Sequence, residues 1–200
     1  MGNLYLARHC KTAWNLEHRI QGRTDIPLCE IGIEEAKTNI GLLEALKIGK
    51  IYSSPLIRGR QTAAIYATAL HVPYETRDGL LEIDMGEWEG KTILELSAQV
   101  PSLYLQWIED PRNVPLVPGS KEDVFRAQRR ILSTIFAIYK ENDEQKNVLV
   151  IIHKYIGSLL RCALQGLELT HFKKEIIETT LPQNLSIVSS EFIEKCLSNC

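Results

Sequence analysis

The sequence lacks paired cysteines. It has five, Cys10, Cys29, Cys162, Cys196 and Cys200, an odd number at irregular spacings with no C-x-x-C pair. A structural zinc site draws four nitrogen or sulfur ligands, usually from short paired spacings, so the pattern argues against one. It also fits a reducing cytosol better than a disulfide-framed secreted domain. Long apolar runs are absent as well. The longest purely aliphatic stretch is Val148 to Ile152, against the roughly 20 residues a membrane helix requires. No targeting signal is evident: Leu4 to Ala7 is too short for a signal-peptide core, and Leu6 stands where a myristoylation start has Ser or Thr. Nor is there a surplus of charge. Lys and Arg number 23, Asp and Glu 25, for a net charge of −2. A dedicated nucleic-acid binder shows a basic excess, and a disordered chain shows high net charge with low hydrophobicity. The expectation is a soluble cytoplasmic protein without a nucleic-acid or membrane partner.

What is present fits one globular domain over residues 1–200. A chain of 200 residues buries about 70% of its unfolded surface, enough for a core that needs no metal or disulfide. Leu4–Ala7, Lys50–Ser53, Tyr74–Thr76 and Ser186–Ser189 read as short strands. Val148–Ile152 reads as a central strand covered on both faces, since such strands are continuously aliphatic. Between them lie helical spacings. Ile33, Ala36, Ile40, Leu43 and Leu46 predict one helix over 33–46, and Arg60–Leu70 a second, with Pro55 placed near its start. Thr92–Gln99, Ser102–Ile108 and Ile156–Leu164 predict three more. Val124, Ala127, Ile131, Ile135 and Ile138 trace one face of a long helix ending near Asn142, with Ser120 as its expected cap. Alternating strands and helices predict an α/β fold, a three-layer α/β/α sandwich with a mostly parallel central sheet.

In open α/β sheets, ligands bind beyond the carboxyl ends of the strands. Arg8 and His9 follow the first strand, Arg58 the second, and His153 with Lys154 the aliphatic one. Guanidinium groups bind phosphate or carboxylate through paired donors, and histidine beside them suits proton transfer or covalent catalysis. One Arg–His pair alone is ordinarily surface decoration. Recurrence at three strand ends describes an anion pocket that contains a nucleophile, and a phosphate ester is its natural occupant.

The stretch Leu4-Tyr5-Leu6-Ala7-Arg8-His9-Cys10-Lys11-Thr12 resembles the Arg-His-Gly-x-Thr signature of the histidine phosphatase superfamily, the phosphoglycerate mutase-like fold. The likeness continues through Ala13-Trp14-Asn15, Gln21 to Leu28, Gly32, Ser53 to Ala63, Leu81 to Gly90, His153 after the late strand and Asn184 to Ser189 as the family's closing strand, and so spans nearly the whole chain. The resemblance implies a phosphohistidine nucleophile at His9. It implies that Arg8, Arg58 and His153 clamp the phosphoryl oxygens, and that Asn15, Gln21 and Gly22 line the phosphate or substrate side. It implies that Glu82, ahead of its neighbours Asp84, Glu87 and Glu89, donates a proton to the leaving oxygen. Thr12 either donates to phosphate or satisfies its own turn; Lys154 either adds a phosphate contact or obstructs the pocket. Trp88 reads as packing and Lys11 as a solvated rim charge. No metal or cofactor is implied.

Two departures stand out. Cys10 and Lys154 occupy the positions that follow the two histidines, where the family usually has glycine. A need for positive φ there would cost about 1–3 kcal/mol, and the thiol beside the nucleophile reads as a passive small residue ahead of an oxidative gate. The expected function is metal-independent hydrolysis of a small phosphorylated metabolite. The alternatives are a cofactor-dependent phosphoglycerate mutase and a weakened member that binds phosphorylated ligands without turnover. A homodimer is a base-rate expectation. The pocket is expected to gather cations, with Glu82 as its one acid.

Overall fold

A computed structural model of the protein describes residues 2–99, 101–142, 146–178 and 180–185. Among the described residues five strands form one sheet: β1 (Leu4–Arg8), β2 (Ile48–Ser53), β3 (Tyr74–Thr76), β4 (Asn147–Ile152) and β5 (Gln183–Leu185). Their order is β3-β2-β4-β1-β5, parallel throughout except for β5, which runs antiparallel to β1. The expected closing strand at Ser186–Ser189 lies outside the described residues.

Period-two alternation explains the continuous aliphatic run Val148–Ile152 in the middle strand. In β4, Val148, Val150 and Ile152 join one core, while Leu149 and Ile151 join the other. In β1, Leu4 and Leu6 face the first core, and Tyr5 and Ala7 the second. The second core is closed by α2 (Glu30–Thr38), α3 (Ile40–Ala45) and α4 (Ile57–Leu70), following the short α1 (Ala13–Leu16). The first is closed by α5 (Ile93–Ser97), α6 (Leu103–Glu109), α7 (Val124–Glu141) and α8 (Lys154–Leu164). The result is the expected three-layer α/β/α sandwich with a mostly parallel sheet.

Local chemistry moved several boundaries. The helix expected over 33–46 is two helices meeting at Asn39, whose amide turns inward to donate to the Tyr66 hydroxyl. The second predicted helix starts at Ile57 rather than Arg60, which puts Arg58 in its first turn. Asp123, not Ser120, caps α7: its carboxylate accepts from the Arg126 N–H, while Ser120 bonds to Glu122. The five apolar positions expected on the inner face of α7 are all buried. Gly32 lets α2 lie against the loop after β1, because a Cβ there would come within 2.0 Å of the Lys11 carbonyl oxygen. No helix of the described residues is long and apolar enough to cross a membrane.

Candidate active site

The carboxyl ends of β2, β4 and β1 are adjacent, so the topology gathers the residues just beyond each of these strands at one edge of the sheet. A cavity of about 310 Å³ opens there, walled by Arg8, His9, Asn15, Gln21, Gly22, Arg58, Glu82 and Lys154. Thr12 and His153 do not face it.

His9 is 3% exposed. Its Nδ1 lies 2.8 Å from the Cys10 carbonyl oxygen. A carbonyl only accepts, so Nδ1 carries the proton and Nε2 keeps its lone pair. Burial, followed by the positive fields of Arg58 and Arg8, holds the ring well below the ordinary histidine pKa, and His9 is therefore neutral near pH 7.

Arg58 is 1% exposed. Its Nη1 donates to the Thr24 carbonyl at 2.9 Å, Nη2 to the Gly22 carbonyl at 2.7 Å, and Nε to His153 Nδ1 at 3.3 Å. Burial lowers its pKa to about 10, so it stays charged at neutral pH. Three of its five N–H groups fix the guanidinium plane and two are left for an anion.

His153, expected to clamp the phosphoryl oxygens, bonds protein side chains through both ring nitrogens in this structure. Because Arg58 Nε donates to Nδ1, Nε2 holds the proton and donates to Ser54 Oγ at 2.6 Å. Both ring nitrogens are thus occupied by protein. His153 stands behind Arg58 and packs its ring 5.1 Å from that of His9. Burial, then Arg58, pushes its pKa well down.

Glu82 is 4% exposed and docks on the first turn of α8. Oε1 accepts from the Ile156 N–H at 2.7 Å and the Ile83 N–H at 2.9 Å; among the described residues, Oε2 accepts only from the Tyr155 N–H, at 2.9 Å. Burial raises its pKa above the ordinary value, against the pull of those three N–H groups. The unequal load leaves Oε2 as the oxygen with room for a proton. Its rivals are otherwise engaged. Asp84 accepts from the Gly86 and Lys121 N–H groups. Glu89 accepts from the N–H groups of Arg23, Thr24 and Met85. Neither they nor Glu87 line the cavity.

The remaining residues divide between wall and frame. Thr12 is fully buried and caps α1, with its Oγ1 donating to Asn15 Oδ1 and accepting from the Asn15 N–H, so it satisfies its own turn. Asn15 commits its side-chain carbonyl to that cap and lines the cavity. Gln21 is 8% exposed, and its Oε1 is buried without a partner among the described residues. Gly22 takes φ +51°, and a Cβ there would strike the Glu89 carboxylate. Trp88 is buried edge-on against Tyr104 and Trp107. Lys11 is exposed and reaches Glu35 at 3.4 Å.

The departures from glycine carry no backbone strain, since neither Cys10 nor Lys154 has positive φ. The Cys10 thiol is fully buried, 3.4 Å from the Tyr66 hydroxyl, and burial pushes its pKa up to about 11. It is a packed, protonated thiol, in keeping with the passive reading rather than an oxidative gate.

Sequence reasoning missed two features. The framework is one: Glu89 knots the Gly22–Thr24 loop whose carbonyls hold Arg58, and Arg130 on α7 donates to the carbonyls of Gly79 and Leu81, steadying the chain that carries Glu82. The other is acidity. Glu82 is not alone, for Glu35 and Glu178 also line the cavity. Both come from parts of the chain with no periodic link to the strand ends.

The histidine phosphatase superfamily (branch 1) family model matches residues 4–197. Phosphoserine phosphatase 1 of Hydrogenobacter thermophilus is 32% identical over 172 residues, covering 86% of this chain and 80% of the relative. A probable phosphoglycerate mutase, GpmB, of Yersinia pestis is 32% identical over 164 residues, covering 82% and 75%. The solved structure of a mycobacterial glucosyl-3-phosphoglycerate phosphatase superposes with a TM-score of 0.83 over 93% of each chain at 24% identity, a likeness of fold.

Proposed function

Because the chain belongs to the histidine phosphatase superfamily (branch 1), we propose that it hydrolyses the phosphate monoester of a small metabolite through a phosphohistidine on His9. The observation that carries this reading is the pairing of a neutral His9, its Nε2 unprotonated, with a buried Glu82 whose pKa is raised, in one cavity with Arg8 and Arg58. The His9 Nε2 lone pair attacks phosphorus. The ester P–O bond breaks, and the departing oxygen takes the proton from Glu82 Oε2. Arg8 and Arg58 hold the equatorial oxygens, where charge gathers in the transition state. The Nδ1–H···O bond to Cys10 steadies the positive ring of the phosphorylated histidine. Water then gives its proton to the Glu82 carboxylate as its oxygen bonds to phosphorus, the P–N bond breaks, and inorganic phosphate leaves.

In this reading Gln21 and Asn15 meet phosphate or substrate, His153 positions Arg58, and the whole chain acts as one domain. The mechanism assigns no step to a metal, and the place of work is the cytosol. The relaxed backbones at Cys10 and Lys154 favour turnover over the binding-only alternative.

The test is phosphate release from a panel of phosphorylated metabolites, phosphoserine and 3-phosphoglycerate included, with His9→Ala as control. Release by the wild type alone is expected. Interconversion of phosphoglycerates in the presence of 2,3-bisphosphoglycerate, without phosphate release, would establish the mutase alternative instead.

A further inference from the structure

Arg8 and Lys154 do not meet an anion independently, because both reach one carboxylate. Arg8 Nη1 lies 2.7 Å from Glu178 Oε2, and Lys154 Nζ lies 2.5 Å from Glu178 Oε1. Glu178 sits on the cavity wall with His9, Arg58 and Glu82. The Arg8 side chain is only 12% exposed, so its packing already orients it, while the Glu178 side chain is 61% exposed. Exposed ion pairs are weak and exchange readily. Arg8 Nε is buried without a hydrogen-bond partner among the described residues, which gives the guanidinium a further donor for an oxygen. Carboxylate and phosphate oxygens compete for the same donors, and a carboxylate on the wall repels a dianion beside it.

We propose that Glu178 is a tethered competitor for the phosphate-binding cations, so that its carboxylate sets how tightly the site holds inorganic phosphate. The inference rests on the phosphatase reading, since it requires Arg8 to receive a phosphoryl group. Lys154 tempers the competition. Where the family resemblance expects glycine, this chain has an ammonium that draws one Glu178 oxygen away from Arg8. The three side chains together carry one net positive charge, enough to accept phosphate and to let it go. Release of product often limits turnover, and a built-in anion beside the product opposes its retention.

The test measures inorganic phosphate binding by calorimetry, and aryl phosphate hydrolysis in parallel, for the wild type, Glu178→Gln and Glu178→Ala. The expected result is a phosphate Kd lowered roughly two- to fivefold in both variants, the range open to an exposed ion pair. The gap should narrow at high salt, where the competing pair is screened; a merely structural role for Glu178 would not produce that narrowing. A wild type that hydrolyses the ester, with a Kd unchanged or raised in the variants, overturns the inference and leaves the phosphatase reading standing. A wild type that neither hydrolyses the ester nor binds phosphate overturns both.

Discussion

At the scale of residues, the chemistry turns on two groups with opposite protonation needs. His9 must be neutral, and its pKa is lowered, so the acid limb of activity lies well below the ordinary histidine range. Glu82 must carry a proton at the first step, and its pKa is raised, so activity holds until pH rises through a value above the usual carboxylate range. The expected pH profile of kcat/KM for an aryl phosphate is thus displaced to the acid side. Glu82→Gln should erase the alkaline limb and cost about 10²- to 10⁴-fold in kcat. An alkaline limb that persists in the variant would assign it to another group. Cys10 yields a second expectation. Iodoacetamide at pH 8 should label the half-buried Cys29 and leave Cys10 and activity untouched, as mass spectrometry of the peptides will read; rapid loss of activity with label on Cys10 would restore the redox-gate reading. Arg8, His9 and Arg58 were legible because strand ends announce themselves as breaks in aliphatic runs. Glu178 was not legible, because it returns to the cavity across a sequence separation of 170 from Arg8.

At the scale of elements, interiors were readable and ends only in part. Apolar spacing located α7 and β4 because burial obeys the periods of 3.6 and 2. Ends are set by single polar residues outside any period: Thr92 and Ser102, at the predicted starts, do cap α5 and α6, whereas Asp123 takes the place expected of Ser120 on α7. The break falls at Asn39, whose amide makes long-range hydrogen bonds to Tyr66 and Thr180, which spacing could not report. Two predictions belong here. Ile131 is fully buried on α7, so Ile131→Ala should cost about 2–5 kcal/mol in urea unfolding; a cost well under 1 kcal/mol would mean that α7 does not close the core. Glu89→Gln should loosen the Gly22–Thr24 loop and with it Arg58. A several-fold fall in kcat/KM with His9 still phosphorylated is expected, and no change in kcat/KM would remove Glu89 from the positioning frame.

At the scale of the whole molecule, the near-zero net charge conceals an end of the sheet where positive and negative side chains interlock. Buried titratable groups there also tie stability to pH. His9 and His153 have folded pKa values below their unfolded ones, so the unfolded state binds protons first as pH falls below about 6.5. Stability should then fall by about 1.4 kcal/mol per pH unit for each histidine. Glu82 acts in the opposite sense: its raised folded value adds stability that is lost as pH rises through that value, which offsets part of the slope. Urea unfolding between pH 7.5 and 5.5 should show the decline, and His9→Asn should reduce its slope to the share left by His153; a flat wild-type profile would contradict neutral burial of the pair. The account's central claim, covalent catalysis on His9, has a more direct test. The protein is mixed with an aryl phosphate in chelator, quenched in base because phosphohistidine is acid-labile, and its peptides are read by mass spectrometry. The account predicts a phosphoryl group on His9 that accumulates in Glu82→Gln and is absent from His9→Ala. Phosphate release with no adduct, or with the adduct on another residue, would contradict it.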